Sequence, residues 1–264
     1  MEKQIEWHGK SLNYYVEGQG PSVVLLHGFL ENHHVWDDLI HHLASHFSVL
    51  AIDLPGFGKS AVYGENHGMP FMAEAVKFIL DQEKVTQTFL IGHSMGGYVS
   101  LAFAKLFPES LKGLVLFHSQ AAGDDEQGKQ NRSRTIEVVK KNHKNFISQF
   151  IPLLFAESNV AVFENEIARL KEESLKTSAE GVIASLAGMR DRDDNLQLLE
   201  NINVPVFFVI GKQDSRIPLP KILSQISLPK LSEAIILDEV GHMGFVEAPE
   251  KTFPAVQSFC ERYS

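Results

Sequence analysis

The stretch Phe89-Leu90-Ile91-Gly92-His93-Ser94-Met95-Gly96-Gly97 decides how this chain is read. An apolar run suited to a buried strand breaks at a glycine-flanked serine and resumes as the amphipathic segment Tyr98 to Phe107. A strand that turns at once into a helix forces its turn residue into a strained backbone conformation, and only small neighbours let the two elements approach so closely. Gly92 and Gly96 provide that room. The turn is expected to lift the Ser94 hydroxyl above the sheet edge, over the positive end of the following helix. A serine hydroxyl is a weak nucleophile at neutral pH, so this reading requires a histidine to take its proton and a carboxylate to orient that histidine.

Both occur in suitable places. Among twelve histidines, His242 lies in Val240-Gly241-His242-Met243-Gly244-Phe245, a glycine-bracketed loop after the last expected strand. Asp214 follows the preceding strand in Val209-Ile210-Gly211-Lys212-Gln213-Asp214. Negative charge developing on an attacked carbonyl needs backbone donors. The turn Leu26-His27-Gly28-Phe29 supplies the setting, with the Phe29 N–H as one donor and the Met95 N–H, at the start of the helix, as the second.

Short runs rich in Val, Ile, Leu and Phe recur at Val23 to Leu26, Val49 to Ile52, Phe89 to Ile91, Leu114 to Phe117, Val206 to Ile210 and Ile235 to Leu237. Amphipathic segments such as Val35 to Phe47 and Met72 to Gln82 lie between most of them, the alternation of a parallel sheet covered by helices. Gln4 to Trp7 and Leu12 to Glu17, joined by His8-Gly9-Lys10, read as an added antiparallel hairpin. The alternation fails between Ser119 and Asn201, where Gln130 to Lys144, Phe146 to Phe155, Val160 to Lys176 and Ala179 to Gly188 read as helices. The expected organisation is a core of residues 1–118 and 201–264 and a helical cap of residues 119–200.

With 264 residues, 44% hydrophobic and 22% charged, the chain can bury a large core. A net charge of −9 gives no basic footprint for nucleic acid and disfavours an anionic membrane surface. The N-terminal stretch lacks the pattern of a secretory signal, and no apolar run approaches a membrane span, so the expected location is cytoplasmic. Cys260, the only cysteine, reads as a packing residue. No metal, nucleotide or flavin motif occurs, and oligomeric state is not legible.

On His27-Gly28-Phe29, Asp53-Leu54-Pro55-Gly56-Phe57-Gly58-Lys59-Ser60, Gly92 to Gly97, Gly211 to Asp214 and Gly241-His242, the chain resembles the α/β-hydrolase superfamily. The chain order Ser94, Asp214, His242 is that of its catalytic triads. The resemblance covers nearly the whole length. It implies an α/β fold with a mostly parallel eight-stranded sheet and the triad, and it leaves the substrate to the variable cap; with no metal, nucleotide or flavin motif in the sequence, no cofactor is expected. The dehalogenases and epoxide hydrolases it resembles use Asp as nucleophile, where this chain has Ser94. The menaquinone-pathway lyases carry Arg where this chain has Tyr98, and the carbon–carbon bond hydrolases carry Asn where it has His93. What remains is similar to carboxylesterases, enol-lactonases and cofactor-free perhydrolases. The expected activity is hydrolysis of a small or medium carboxylic ester or lactone through an acyl-enzyme. The alternatives are a perhydrolase, a carbon–carbon bond hydrolase, or a ligand-binding receptor on the same fold.

Other residues read more plainly. His27 is expected to hold its turn, and Asp53 to fix the backbone of the Asp53 to Ser60 loop. Asp124 and Asp125 rival Asp214 for the acid but lie in a poorer context. His33, His34, His41, His42 and His46 read as solvated, since Leu39 and Leu43 claim the buried face of their helix. Phe146, Phe150, Phe155 and Met243 are the expected pocket residues beneath the cap.

Overall fold

The computed structural model describes residues 1–264. Its sheet has eight strands in the order β1-β2-β4-β3-β5-β6-β7-β8: β1 (Glu2–Trp7), β2 (Lys10–Glu17), β3 (Ser22–Leu26), β4 (Ser48–Ile52), β5 (Thr88–His93), β6 (Leu111–Phe117), β7 (Val206–Gly211) and β8 (Ser232–Leu237). The first pair is the expected antiparallel hairpin, β2 is also antiparallel to β4, and every other pairing is parallel. β3, β5 and β7 are continuous apolar runs because helices cover both faces, as a parallel sheet requires. The chain steps from β3 outward to β4 and then back across to β5, so the order reverses between β3 and β5. Loops there diverge and leave a crevice at the carboxyl ends of the strands.

The covering helices are α1 (Asp37–Leu43), α2 (Met69–Gln82), α3 (Met95–Leu106), α8 (Leu219–Ile226) and α10 (Pro249–Arg262), with the single turn α9 (Gly244–Glu247). Between β6 and β7 the chain forms α4 (Glu126–Phe150), α5 (Glu164–Ser174), α6 (Ala179–Arg190) and α7 (Leu196–Asn201) and no strand. α4 leaves helical geometry at Asn142, whose side chain accepts the Asn145 N–H and restarts the helix. The expected helix from Phe146 to Phe155 stops early: Ile151–Leu154 is a tight 3₁₀ turn and Phe155 is extended. None of the helices is long and apolar enough to cross a membrane. Cys260 is fully buried, and burial pushes its thiol up to about 12, so it behaves as a small apolar side chain.

Asp53 anchors the loop after β4. One carboxylate oxygen accepts the His33 N–H (2.8 Å) and the His33 ring Nδ1 (2.9 Å), and the other accepts from Asn13 Nδ2 and the Lys59 N–H, both at 2.9 Å. His33 is therefore buried, not solvated as its place in the histidine cluster suggested; the carboxylate draws it inward. Burial alone would raise the Asp53 carboxyl, yet the His33 bonds and the backbone donors hold it at about 2. A carboxyl depressed in the folded state stabilises above its unfolded pKa and loses that contribution as pH falls toward the folded one. Thermal unfolding of the wild type is expected to show a stability loss of about 2 kcal/mol between roughly pH 4 and pH 2 from this group. Asp53→Asn should lower Tm at neutral pH and flatten that acid limb; an unchanged limb would refute the assignment.

Candidate active site

β5 passes into α3 within a single residue, Ser94, whose backbone lies at φ 49°, ψ −112°. Such a conformation in a non-glycine residue costs on the order of 1–3 kcal/mol and persists only where the surroundings over-determine it. Here the Ser94 N–H donates to the Phe117 carbonyl (3.0 Å), and the Ser119 hydroxyl donates to the Ser94 carbonyl (2.7 Å). A Cβ at Gly92 would run into the Gly96 backbone, and one at Gly96 into the Leu26 carbonyl, so both must stay glycine. The turn leaves the Ser94 side chain facing a cavity of about 450 Å³ that His242 and Phe29 also line.

Asp214 and His242 meet beside it. His242 Nδ1 lies 2.7 Å from Asp214 Oδ2, and Asp214 Oδ1 accepts the Arg216 N–H (2.7 Å) and the Ile217 N–H (2.9 Å). Burial would raise the Asp214 carboxyl, but the two neighbouring imidazoles hold it well below the usual carboxylate range. An ionised Asp214 takes the proton-bearing face of the imidazole and leaves Nε2 as the basic nitrogen. The His242 N–H donates to the Leu154 carbonyl (2.7 Å), which ties this loop to the helical insertion.

The second imidazole is His118, in the left-handed region at φ 46° just beyond β6. Its Nδ1 lies 3.3 Å from Asp214 Oδ2, and its Nε2 is buried without a partner beside Gly244. Burial lowers its pKa, consistent with a neutral ring that donates through Nδ1. Nothing in the spacing of the sequence pointed to His118; only the parallel pairing of β6 with β7 brings it to Asp214.

The Phe29 N–H donates to no acceptor in the protein, and Met95 opens α3, where the N–H groups have no partner within the helix. His27 holds the turn as expected from its position: its Nδ1 lies 2.7 Å from the Gly28 carbonyl and its Nε2 accepts the Leu54 N–H (3.0 Å). Asp124 is committed elsewhere, to ion pairs with Arg132 and Arg192, and Asp125 caps α4 by accepting the Gly128 N–H. Neither is free to serve as the acid.

Phe146 and Phe150 line the cavity with Ser94, alongside Leu186 and Met189 of α6. Phe155 and Met243 do not. They border a separate cavity of about 240 Å³ on the far side of Glu31. The 3₁₀ turn after Phe150 breaks the helical spacing and rotates Phe155 toward Phe163, 6.2 Å away between ring centroids. The polar lining of the cavity that Ser94 faces, Asn131, Arg132 and Arg216, was not read from sequence, because charged residues on helix surfaces there look like any solvated face.

Residues 21–249 match the family described as alpha/beta hydrolase fold. The chain belongs to that family. Among relatives, it is 29% identical to the pimeloyl-[acyl-carrier protein] methyl ester esterase of Aeromonas salmonicida over 92% of this chain and 96% of that one. Among solved structures, a thermophilic esterase from Thermogutta terrifontis superposes with a TM-score of 0.94 at 28% identity, with both chains covered completely. The enol-lactonase of Burkholderia xenovorans shares the fold, with a TM-score of 0.90 at 18% identity over 98% of this chain and all of that one.

A fluorophosphonate probe, which reacts with a serine only when a base activates it, tests the site directly. Mass spectrometry should find a single adduct on Ser94, and His242→Ala should abolish labelling; adducts that persist in that variant would remove His242 from the site.

Proposed function

We propose that this hydrolase cleaves a small or medium carboxylic ester or lactone through an acyl-enzyme on Ser94. The observation that carries the reading is the 2.7 Å contact of Asp214 with His242 in the cavity that Ser94 faces. His242 Nε2 takes the Ser94 proton as Oγ attacks the carbonyl carbon. The N–H groups of Phe29 and Met95 receive the oxygen that becomes negative, an interaction stronger in the transition state than in the bound ester. Collapse of the tetrahedral intermediate breaks the ester C–O bond, and the imidazolium returns its proton to the leaving alcohol. Water, deprotonated by the same nitrogen, then attacks the acyl-enzyme and releases the acid, restoring Ser94.

The lining of the cavity supports an acyl chain of some length. Phe29, Phe146, Phe150, Leu186 and Met189 offer apolar surface, while Arg132, Asn131 and Arg216 offer polar contacts. In this reading residues 119–200 act as a cap that shapes substrate choice. The names of the relatives agree with ester cleavage: those proteins are esterases by name.

Steady-state hydrolysis of p-nitrophenyl esters of increasing acyl length tests this. A length optimum is expected, and Ser94→Ala should lower kcat by several orders of magnitude without changing the fold. Asp214→Asn should lower kcat by roughly 10³–10⁴-fold, because the imidazole loses the partner that fixes its tautomer. Full turnover in Ser94→Ala would overturn the acyl-enzyme reading.

A further inference from the structure

His93 precedes the nucleophile. Its side chain is fully buried, and each ring nitrogen faces an acceptor: Nδ1 is 2.9 Å from Glu31 Oε2, and Nε2 is 2.9 Å from the His242 carbonyl oxygen. A neutral imidazole has one N–H and one lone pair and satisfies one of these acceptors; an imidazolium satisfies both. Glu31 is also buried, and no lysine or arginine pairs with it. A buried carboxylate is costly without a counter-charge, and a proton on His93 supplies one.

The pair joins parts of the site that the chain does not. Glu31 Oε2 accepts the Gly28 N–H at 2.6 Å, next to the free Phe29 N–H, while the other end of the pair holds the His242 carbonyl. A Cβ at Gly28 would stand 2.6 Å from His93 Nδ1 and 2.9 Å from Glu31 Oε2, so the turn is built close against the pair. The rings of Trp36, Phe117 and Phe245 pack around His93, and both members of the pair border the cavity that Ser94 faces.

We propose that Glu31 and His93 form a buried carboxylate–imidazolium pair that sets the spacing between the Gly28–Phe29 turn and the His242 loop. It is a positioning device for the oxyanion donor and the base, and it rests on the roles given above to Phe29 and His242. The other titratable groups facing the pair are His242, with ring centroids 4.8 Å apart, His118 at 6.3 Å, Asp214, and His27 beside Glu31. His118 and His27 have pKa values lowered by burial and add no competing positive charge. Burial also works against the charged form of His93, but the Glu31 carboxylate, the His242 carbonyl and Asp214 outweigh it and raise its pKa. The pair therefore persists above the pH range in which Glu31 takes up a proton and is lost as pH rises through the folded pKa of His93.

Nitrogen-15 NMR of histidine-labelled wild-type protein at pH 7.5, about one unit above an ordinary histidine pKa, reads the pair in the resting state. Both His93 nitrogens, assigned by their loss in His93→Gln, are expected in the protonated range; a neutral His93 overturns the proposal. In ester hydrolysis, His93→Gln and Glu31→Gln should each lower kcat by roughly 10–100-fold with KM little changed, because misplacement weakens the transition state more than binding. Glu31→Gln should also lose activity at a lower alkaline pH than wild type, since His93 gives up its proton earlier. Wild-type kcat and pH profile in a folded Glu31→Gln overturn the positioning role. If both variants fail to fold, through-bond correlation from the His93 backbone assigns its ring nitrogens in the wild type, and their protonation decides. Absence of ester turnover in the wild type would overturn the hydrolase reading while leaving the nitrogen signals to report the pair.

Discussion

Everything at the site depends on the one-residue passage from β5 into α3. A serine held at φ 49° has no intrinsic reason to stay there, so the sheet must impose it. The Ser94 N–H and carbonyl are both engaged by the end of β6, through Phe117 and Ser119, and α3 is pressed against β5 and β3 through Gly92 and Gly96. The strain is thus divided between a hydrogen-bonded strand on one side and a close-packed helix on the other. Its result is a hydroxyl that leaves the sheet toward the crevice between β3 and β5.

Around that hydroxyl the interior is unusually polar for a core. Glu31, Asp214 and four imidazoles, those of His27, His93, His118 and His242, are all buried. Their environments push them apart. Asp214 collects two backbone N–H donors and faces two ring nitrogens, which keeps it ionised. His118 shares the carboxylate, but burial lowers its pKa and its Nε2 is unpartnered. His27 spends one nitrogen on the Gly28 carbonyl of its own turn and the other on the Leu54 N–H of the loop after β4. Among the four imidazoles, His242 combines a bond to Asp214 with a place on the cavity wall beside Ser94. In a low-dielectric site such divisions are sharp, since each unpaired group is expensive.

The helical insertion contributes more than a wall. Leu154 accepts the His242 N–H, the Ser174 hydroxyl donates to the Leu30 carbonyl, and Glu247 accepts the backbone N–H groups of Ala156, Gly241 and Met243. The loop that carries His242 is therefore held from the insertion as well as from the sheet. Cavity shape and the placement of His242 are mechanically linked, since the chain between α4 and α5 makes both.

The sequence by itself determined the sheet, the elbow and the order Ser94, Asp214, His242, because each is written in local pattern: apolar runs, glycines where backbones meet, and loops after strands. It also determined that His27 and Asp53 would brace their loops, since short polar side chains beside turns bond nearby backbone. Which residues line the cavity that Ser94 faces was decided only by tertiary structure. Phe146 and Phe150 face the cavity while Phe155 and Met243 do not, because a 3₁₀ turn interrupts a spacing that reads as continuous helix. Likewise, no periodicity connects Glu31 to His93, or His118 to Asp214; they meet because parallel strands far apart in sequence end side by side, and a buried charge recruits whatever partner that juxtaposition supplies.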